Sequence, residues 1–247
     1  MKDSHKKGGN WFEEWFDSPF YHILYKNRND AEAEKFITNL VQFLKPQKNQ
    51  LFVDVACGKG RHSLFLNTLG YSVDGFDLST NSIKSAQQKE TPTLHFFVND
   101  IRVPLKKNYY DFAFNLFTSF GYFDTEDDNQ KAINAIAESL NEEGILVLDF
   151  MNAHKVIKNL QASETKTIDG IDFQSKRYVE NGFIVQDISF NAEGQPYHYQ
   201  ELVKALTLND FERMFAQANI QLLDVFGDYK LNTFNKYSSE RLIMIFM

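Results

Sequence analysis

Apolar residues near the start of the chain recur at helical spacing. Trp11 and Trp15, each followed by a phenylalanine, share one helix face. A second helix is predicted from about Asp30, and Pro46 stops it. We therefore predict that residues 11–46 form a helical segment ahead of the main body of the fold.

Short apolar strands then alternate with helical patterns. Strands are predicted at residues 51–56, 71–76, 94–98, 110–116 and 145–150. Parallel strands need a crossover connection, which is usually a helix, so this alternation is typical of a doubly wound parallel sheet. The first half of the chain therefore predicts an α/β fold.

The pattern changes after Asn152. Strands are predicted at residues 171–179, 183–190 and 197–206, separated by turn sequences that contain glycine. A helix at 208–218 and a strand pair at 222–226 and 241–246 close the chain. The parallel part is thus followed by an antiparallel part, whereas a dehydrogenase-type sheet normally continues with parallel crossovers.

Composition excludes several classes of protein. The net charge is −7 and the basic residues are scattered, which disfavours nucleic acid as a partner. The single cysteine, Cys57, allows neither an intrachain disulfide nor a zinc cluster built on thiolates, and we expect no metal. The polar N-terminus and the lack of a long apolar run predict a cytoplasmic protein that makes no membrane contact.

The chemistry of the chain is concentrated where the first predicted strand meets a helix. Gly58 and Gly60 leave the backbone open to a ligand there, and the helix that follows offers free backbone N–H groups. Asp54, on the strand, could accept from an ammonium group or hold the loop. The second strand ends in Asp77, where a carboxylate can accept both hydroxyls of a ribose, although a helix cap explains it equally well.

The third strand ends in Asn99, Asp100 and Ile101, a polar and apolar set suited to an adenine amino group and its ring face. Carboxyl ends of parallel strands open into one crevice. We therefore expect the acidic residues at positions 54, 77 and 100 to converge on a single pocket.

The segment Asp54-Val-Ala-Cys-Gly-Lys-Gly60 resembles the glycine-rich first motif of class I S-adenosylmethionine-dependent methyltransferases, with Ala56 where the first glycine usually stands. Asp77 and Asp100 match the ribose-binding and adenine-contacting acids of that family. The segment Trp15–Arg28 also resembles the opening of poorly characterised bacterial methyltransferases that are similar to small-molecule N- and O-methylating enzymes. The resemblance implies S-adenosylmethionine as cofactor and methyl transfer to a nitrogen or oxygen of a small molecule (EC 2.1.1.-).

The fold class that follows is α/β: a Rossmann-like doubly wound sheet, parallel with a reversed last strand, plus an inserted antiparallel β-meander and an N-terminal helical lid. We predict one methyltransferase domain over residues 11–247 and a flexible tail at 1–10. Within the domain we expect the lid at 11–46, the cofactor-binding core at 51–152, the meander at 168–206, and the closing helix and strand pair at 207–247.

Candidate site residues follow from the resemblance and from the strand ends. The cofactor-binding candidates are Asp54, Ala56, Gly58, Gly60, Arg61, Asp77, Leu78, Asp100, Ile101, Asn115 and Leu116. The substrate-binding candidates are Tyr21, Tyr25, Arg28, Ser119, Tyr122, Phe123 and Tyr178. No catalytic residue is assigned; His154 and Tyr122 are candidates for a base, and a surface histidine at a helix start is the simpler explanation of His154.

Three alternatives stay open. A nicotinamide-dependent oxidoreductase would use the same glycines with Ser63 as the third small residue of its fingerprint. A catalytically silent S-adenosylmethionine-binding protein would keep the pocket and lack an acceptor, and RNA methylation would need a basic face.

The meander either covers the acceptor pocket or makes an oligomer contact, so both a monomer and a homodimer are compatible with the sequence.

Overall fold

The computed structural model describes residues 11–26 and 30–247, with the side chain of Glu13 left out. The predicted tail at 1–10 and the candidate Arg28 lie outside the described residues. No helix in the described part is long and apolar enough to cross a membrane.

Three helices open the described chain: α1 (Trp11–Phe16), α2 (Pro19–Leu24) and α3 (Asp30–Leu44). Ser18 separates the first two, because its hydroxyl accepts from the backbone N–H of Phe20 at 3.2 Å and Pro19 occupies the first turn. Helix α3 buries Phe36, Ile37 and Leu40 against the main sheet, as its apolar spacing predicts.

The core alternates strands and helices: β1 (Leu51–Val55), α4 (Arg61–Thr68), β2 (Ser72–Asp77), α5 (Thr80–Gln87), β3 (Leu94–Val98), β4 (Tyr110–Asn115), α6 (Glu126–Ser139) and β5 (Leu140–Met151). The remainder comprises α7 (Ala153–Lys158), β6 (Ser163–Ile168), β7 (Ile171–Glu180), β8 (Phe183–Ala192), β9 (Gln195–Lys204), α8 (Leu208–Gln217), β10 (Leu222–Phe226) and β11 (Arg241–Phe246).

Seven strands form the main sheet in the order β10-β11-β5-β4-β1-β2-β3. Neighbours are parallel except at β11, which runs antiparallel to both β5 and β10. The predicted α/β fold with one reversed strand is therefore confirmed. Chain direction along the sheet switches between β1 and β4, which is where open α/β sheets bind ligands at the carboxyl ends of their strands.

The inserted sheet has four antiparallel strands in the order β6-β7-β8-β9. The sequence analysis was wrong about its start, because β6 begins at Ser163 whereas residue 168 was expected. Strand β6 lacks an apolar alternation, and it is held by backbone pairing with β7. The available signal was Asp169-Gly170, whose φ angles of 51° and 78° form the left-handed two-residue turn that hairpins favour.

Apolar packing falls into three clusters. One face of the main sheet is covered by α6 and α8, and the other by α3, α4 and α5. The third cluster joins α1 and α2 to the inserted sheet through Trp15, Phe20, Phe173 and Phe190. The N-terminal helices are thus attached to the inserted sheet by an apolar core of their own.

Candidate cofactor and acceptor site

A cleft opens at the carboxyl ends of the parallel strands, and together with the solvent space at its mouth it spans about 570 Å³. It lies at the switch point of the sheet, where the fold predicts a ligand. Its lining residues are Phe12, Phe16, Ala56, Phe76, Asp77, Leu78, Asn99, Asp100, Ile101, Ser119, Phe120, Gly121, Tyr122 and Phe123. The cleft therefore brings together the ends of β2, β3 and β4, the loop after β1, and helix α1.

The turn after β1 is built from left-handed residues. Ala56, Gly58 and Gly60 have φ angles of 58°, 56° and 77°. A Cβ at Gly60 would lie 2.4 Å from two ring atoms of Phe96, whereas a Cβ at Gly58 would meet no atom within 4 Å. Packing thus excludes a side chain at Gly60, while Gly58 faces open space. Ala56 adopts the left-handed conformation without the freedom of a glycine.

Asp54 is buried beneath this turn. Its Oδ2 accepts from the backbone N–H of Ser63 at 3.1 Å and from the Ser63 hydroxyl at 2.5 Å. Burial raises the pKa of Asp54 from 3.8 to about 7, against the effect of these hydrogen bonds. Asp54 is absent from the cleft lining, so in this structure it ties the first turn of α4 to β1, and its contact with a cofactor stays a prediction.

Asp77 is a lining residue held by two backbone groups. Its Oδ2 accepts from Gly58 N at 2.9 Å and its Oδ1 from Ser79 N at 2.8 Å. Burial raises the pKa of Asp77, and these backbone donors partly offset the shift. The cap of α5 is Ser79, whose hydroxyl accepts from Ser82 N at 3.0 Å. The capping role weighed for Asp77 therefore belongs to Ser79.

Asp100, on the same side of the cleft, forms an ion pair with Arg102. The guanidinium donates from Nε at 3.0 Å and from Nη2 at 2.6 Å, and the Arg102 backbone N–H donates at 2.9 Å. Partial burial opposes ionisation, but these bonds and the charge of Arg102 lower the pKa of Asp100 overall. Arg102 also lies over the ring of Phe123 at 4.7 Å. The sequence analysis missed Arg102, although it stands two residues after Asp100.

The loop after β4 forms the opposite wall. Ser119 Oγ donates to the carbonyl of Leu116 at 2.8 Å, and the Tyr122 hydroxyl donates to the carbonyl of Thr118. Behind them, fully buried Asn115 donates from Nδ2 to the Val55 carbonyl at 3.1 Å. Asn115 Oδ1 is a buried acceptor that no donor among the described residues reaches.

Helix α1 closes the cleft from above. Phe12 and Phe16 are lining residues, and the Phe16 ring packs against Tyr122 with centroids 5.2 Å apart. The next residue, Asp17, accepts from the Ser79 hydroxyl at 2.6 Å and from Asn81 N at 3.1 Å. The predicted lid at 11–46 is therefore divided: α1 is attached to the cofactor side of the cleft, whereas α3 packs on the main sheet. The name lid is kept below for α1 and α2. The sequence analysis did not name the two phenylalanines as site residues, although their aromatic spacing was visible.

Other substrate candidates lie away from the lining. Tyr21 contacts Phe16, with ring centroids 5.0 Å apart, and Tyr25 donates to Glu201 of β9 at 2.9 Å. Tyr178 of β7 accepts from Gln200 at 3.3 Å. His154 is exposed in the first turn of α7. Of the seven substrate-binding candidates, Ser119, Tyr122 and Phe123 line the cleft, and roles for the others stay predictions.

Comparison with known proteins agrees with this geometry. Residues 52–144 match the methyltransferase domain family. The chain is 27% identical over 216 residues to a putative methyltransferase, YqeM, of Bacillus subtilis, covering 83% of this chain and 86% of that one. It is 25% identical over 222 residues to a glycine/sarcosine N-methyltransferase of Parasynechococcus marenigrum, covering 84% and 74% of the two chains. A crystal structure of an S-adenosylmethionine-dependent methyltransferase from Clostridium acetobutylicum superposes with a TM-score of 0.77 at 18% identity, covering 92% and 95%.

Residues 52–144 therefore form a methyltransferase domain, and the chain is similar over most of its length to S-adenosylmethionine-dependent methyltransferases. The open space at Gly58 and the carboxylates of Asp77 and Asp100 suit S-adenosylmethionine, which carries hydroxyl, amino and ammonium donors. Among the described residues, no group of three or more His, Cys, Asp or Glu side chains could hold a metal ion.

The remaining cofactor-binding candidates fall into two groups, those that line the cleft and those that do not. Ala56, Leu78 and Ile101 line it together with Asp77 and Asp100. The others, which are absent from its lining, are Asp54, Gly58, Gly60, Arg61, Asn115 and Leu116. They lie between the end of β1 and the start of α4 or at the end of β4, and their contact with the cofactor stays a prediction.

Proposed function

We propose that the chain transfers a methyl group from S-adenosylmethionine to a nitrogen or oxygen of a small-molecule acceptor. The observation that carries this proposal is one cleft with two unlike walls. Asp77 and Asp100 lie on the cofactor wall, and the loop from Ser119 to Phe123 lies opposite, under Phe12 and Phe16.

Each polar group on the cofactor wall has a role in this proposal. Asp77 would accept from ribose hydroxyls, and Asp100 with Ile101 would hold the adenine. The turn at Gly58 would allow the methionine portion to approach the backbone. When bound, the cofactor supplies a methyl group that is already activated by a sulfonium. The protein then has to hold the acceptor in line with the methyl group and to exclude water. Such alignment can lower the activation barrier by roughly 7–11 kcal/mol.

The acceptor wall suits an amine that arrives unprotonated. The Tyr122 hydroxyl already donates to the Thr118 carbonyl, and Ser119 Oγ donates to the Leu116 carbonyl, so each oxygen is oriented to accept from a substrate N–H or O–H. An uncharged amine needs no base, whereas a hydroxyl acceptor does. The similarity to a glycine/sarcosine N-methyltransferase favours nitrogen within this proposal.

We also propose that the methyl acceptor is not a nucleic acid and that the protein does not act at a membrane. A net charge of −7 gives little attraction to phosphate backbones. Cys57 is a free buried thiol, as is usual in the reducing cytoplasm, and we place the activity there. Monomeric and homodimeric forms both remain compatible with the inserted sheet.

Calorimetry followed by a turnover screen tests the proposal. Purified protein is titrated with S-adenosylmethionine and, in parallel, with NADH and NADPH. It is then incubated with S-adenosylmethionine and a panel of primary amines, secondary amines and alcohols while S-adenosylhomocysteine release is followed. We expect binding of the sulfonium cofactor and turnover with at least one amine. Binding of a nicotinamide cofactor in its place would overturn the proposal, and binding without turnover on any acceptor would indicate a silent binding protein.

A further inference from the structure

Two successive residues behind the acceptor wall have an unusual backbone conformation. Phe117 and Thr118 have φ angles of 59° and 61°, in the left-handed region that residues with a side chain seldom adopt. A β-branched threonine is especially disfavoured there. Such a pair persists only where the surroundings impose it, and strained residues cluster at functional sites.

Asp149 of β5 imposes this conformation on both residues. Its Oδ2 accepts from Phe117 N at 2.8 Å, and its backbone carbonyl accepts from Thr118 N at 2.9 Å. Asp149 is fully buried, so these bonds are shielded from competing water. One residue therefore captures the two consecutive N–H groups of the strained pair.

Arg241 completes the support from the other side. Its Nε donates to Asp149 Oδ1 at 2.7 Å, and its Nη2 donates to Thr118 Oγ1 at 2.9 Å. Arg241 is the first residue of β11, the reversed strand. Because β11 runs antiparallel to its neighbours, it begins at the edge where the parallel strands end, and its first side chain lies behind the cleft.

The supported pair leads directly into the acceptor wall. The Thr118 carbonyl accepts from the Tyr122 hydroxyl, and Ser119 is the next residue in the chain. Asp149 and Arg241 themselves are absent from the cleft lining. Any effect they have on the reaction therefore passes through the loop.

We propose that Asp149 and Arg241 are positioning residues for methyl transfer, which hold Phe117 and Thr118 in the left-handed conformation and thereby fix Ser119 and Tyr122 against the acceptor. The inference rests on the proposed function. An acceptor misplaced by about 1 Å can cost roughly 100-fold in rate, so a rigid loop matters in an enzyme that acts mainly by alignment.

The central variant is Arg241→Lys, which keeps the positive charge beside Asp149 and loses the fork that reaches Thr118. We expect kcat to fall roughly 100-fold with little change in the affinity for S-adenosylmethionine. Arg213→Lys, at an exposed position of helix α8, is the matched control and should leave kcat unchanged. A merely structural role of Arg241 would lower thermal stability and leave kcat of the folded fraction unchanged, which would overturn the inference.

A second variant tests the conformational argument. Glycine adopts left-handed angles without strain, so Thr118→Gly makes the support less necessary. In the Thr118→Gly background, Arg241→Lys should cost no more than about tenfold in kcat, a smaller loss than in the native background. Equal losses in the two backgrounds would show that Arg241 does not act through the conformation of residue 118.

Amide hydrogen exchange of the cofactor-free protein separates this inference from the proposed function. We expect Arg241→Lys to raise exchange about tenfold across residues 117–123 and to leave β1 unchanged, as weakening one hydrogen bond to a charged group implies. Unchanged exchange in the loop would overturn the inference even if methyl transfer is confirmed. Absence of S-adenosylmethionine binding by the native protein would instead overturn the proposed function, and the exchange result would still stand.

Discussion

The cofactor wall and the aromatic lid over the cleft are built by different means. On the cofactor wall, Asp77 and Asp100 are held mostly by backbone N–H groups or by a residue two positions away. On the lid side, Phe12 and Phe16 are placed by contacts between rings, and Trp15 anchors the helices to the inserted sheet. The cofactor wall is fixed mainly by backbone N–H groups, and the lid by side chains whose partners are distant in sequence.

We infer from this difference that the two sides of the cleft serve different ligands. A wall fixed by the sheet presents the same groups whether or not a ligand is present, which suits a cofactor shared by all methyltransferases of this class. A wall made of aromatic side chains on short helices can be repacked without disturbing the sheet. We therefore expect changes on the lid side to alter acceptor handling, and changes on the cofactor side to alter cofactor affinity.

The largest effect should come from removing the anchor of the lid. Trp15 is 1% exposed, its ring lies 4.4 Å from that of Tyr199, and its Nε1 donates to Glu201 at 2.6 Å. Trp15→Ala should cost about 4 kcal/mol, the usual loss for a buried tryptophan. Because the lid has its own apolar cluster, we expect hydrogen exchange to rise in α1 and α2 while β1 and β4 keep their protection.

Tyr237→Ala, at a side chain that is 65% exposed, is the control for this variant and should change neither region. An equal loss of protection in α1 and in the main sheet would show that lid and sheet unfold as one unit. The contrast between the lid and the cofactor wall would then be a difference of geometry without an energetic counterpart.

The next effect compares the two glycines of the turn after β1. Gly60→Ala places a methyl group against the Phe96 ring in addition to the left-handed strain, and should cost about 3 kcal/mol in the free energy of unfolding. Gly58→Ala meets no neighbour and should cost only about 1 kcal/mol from strain, while weakening cofactor binding. Urea denaturation measures the first quantity and calorimetry the second. Equal stability losses would mean that Phe96 moves aside.

The cofactor wall could be predicted from sequence because its determinants are local. Gly58, Asp77 and Asp100 each stand at or just after the end of a strand that apolar patterning identifies. The end of the strand fixes where each of these residues lies relative to the sheet. Strands β3, β10 and β11 were predicted with their observed bounds. The glycine motif alone does not show that these loops share one edge of the sheet. The order of the strands in the sheet shows it.

The rest depends on contacts that no local pattern encodes. Arg241 and Asp149 are 92 residues apart and meet only because β11 pairs with β5. Phe16 reaches Tyr122 across more than a hundred residues, through helices whose docking depends on the inserted sheet. Strand β6 is polar, and its pairing with β7 is the reason it is a strand. Tertiary pairing decides all three features, so periodicity alone could not reveal them.

A smaller effect concerns the pH dependence that buried Asp54 imposes. Its pKa is about 7 in the folded protein and 3.8 ordinarily. Between these values the folded state holds a proton that the unfolded chain has released, so the free energy of unfolding falls as pH rises and levels off above pH 7. From about pH 5 to about pH 7 the loss amounts to about 2 kcal/mol.

Asp54→Asn, which cannot ionise, should lack this contribution. The test is urea denaturation of both proteins at several pH values, with the native protein losing stability relative to the variant as pH rises. A constant difference between the two across the range would mean that Asp54 ionises at its ordinary pKa despite its burial. The carboxylate under the turn would then be solvated, and the cofactor wall would be less rigid than its hydrogen bonds imply.

The smallest effect should come from an isosteric change at the centre of the cofactor wall. Asp77→Asn keeps one oxygen for Gly58 N or Ser79 N, and loses both the second backbone bond and the charge that ribose hydroxyls would meet. We expect the dissociation constant for S-adenosylmethionine to rise about tenfold, the change typical of losing one hydrogen bond to a charged group. Asp224→Asn, at an exposed position of β10, controls for net charge and should leave the constant unchanged. Because the wall is fixed by backbone, the loss should appear in cofactor affinity with the acceptor KM unchanged. A rise in the acceptor KM of similar size would show that the cofactor wall and the acceptor side are coupled through Asp17, which joins helix α1 to Ser79.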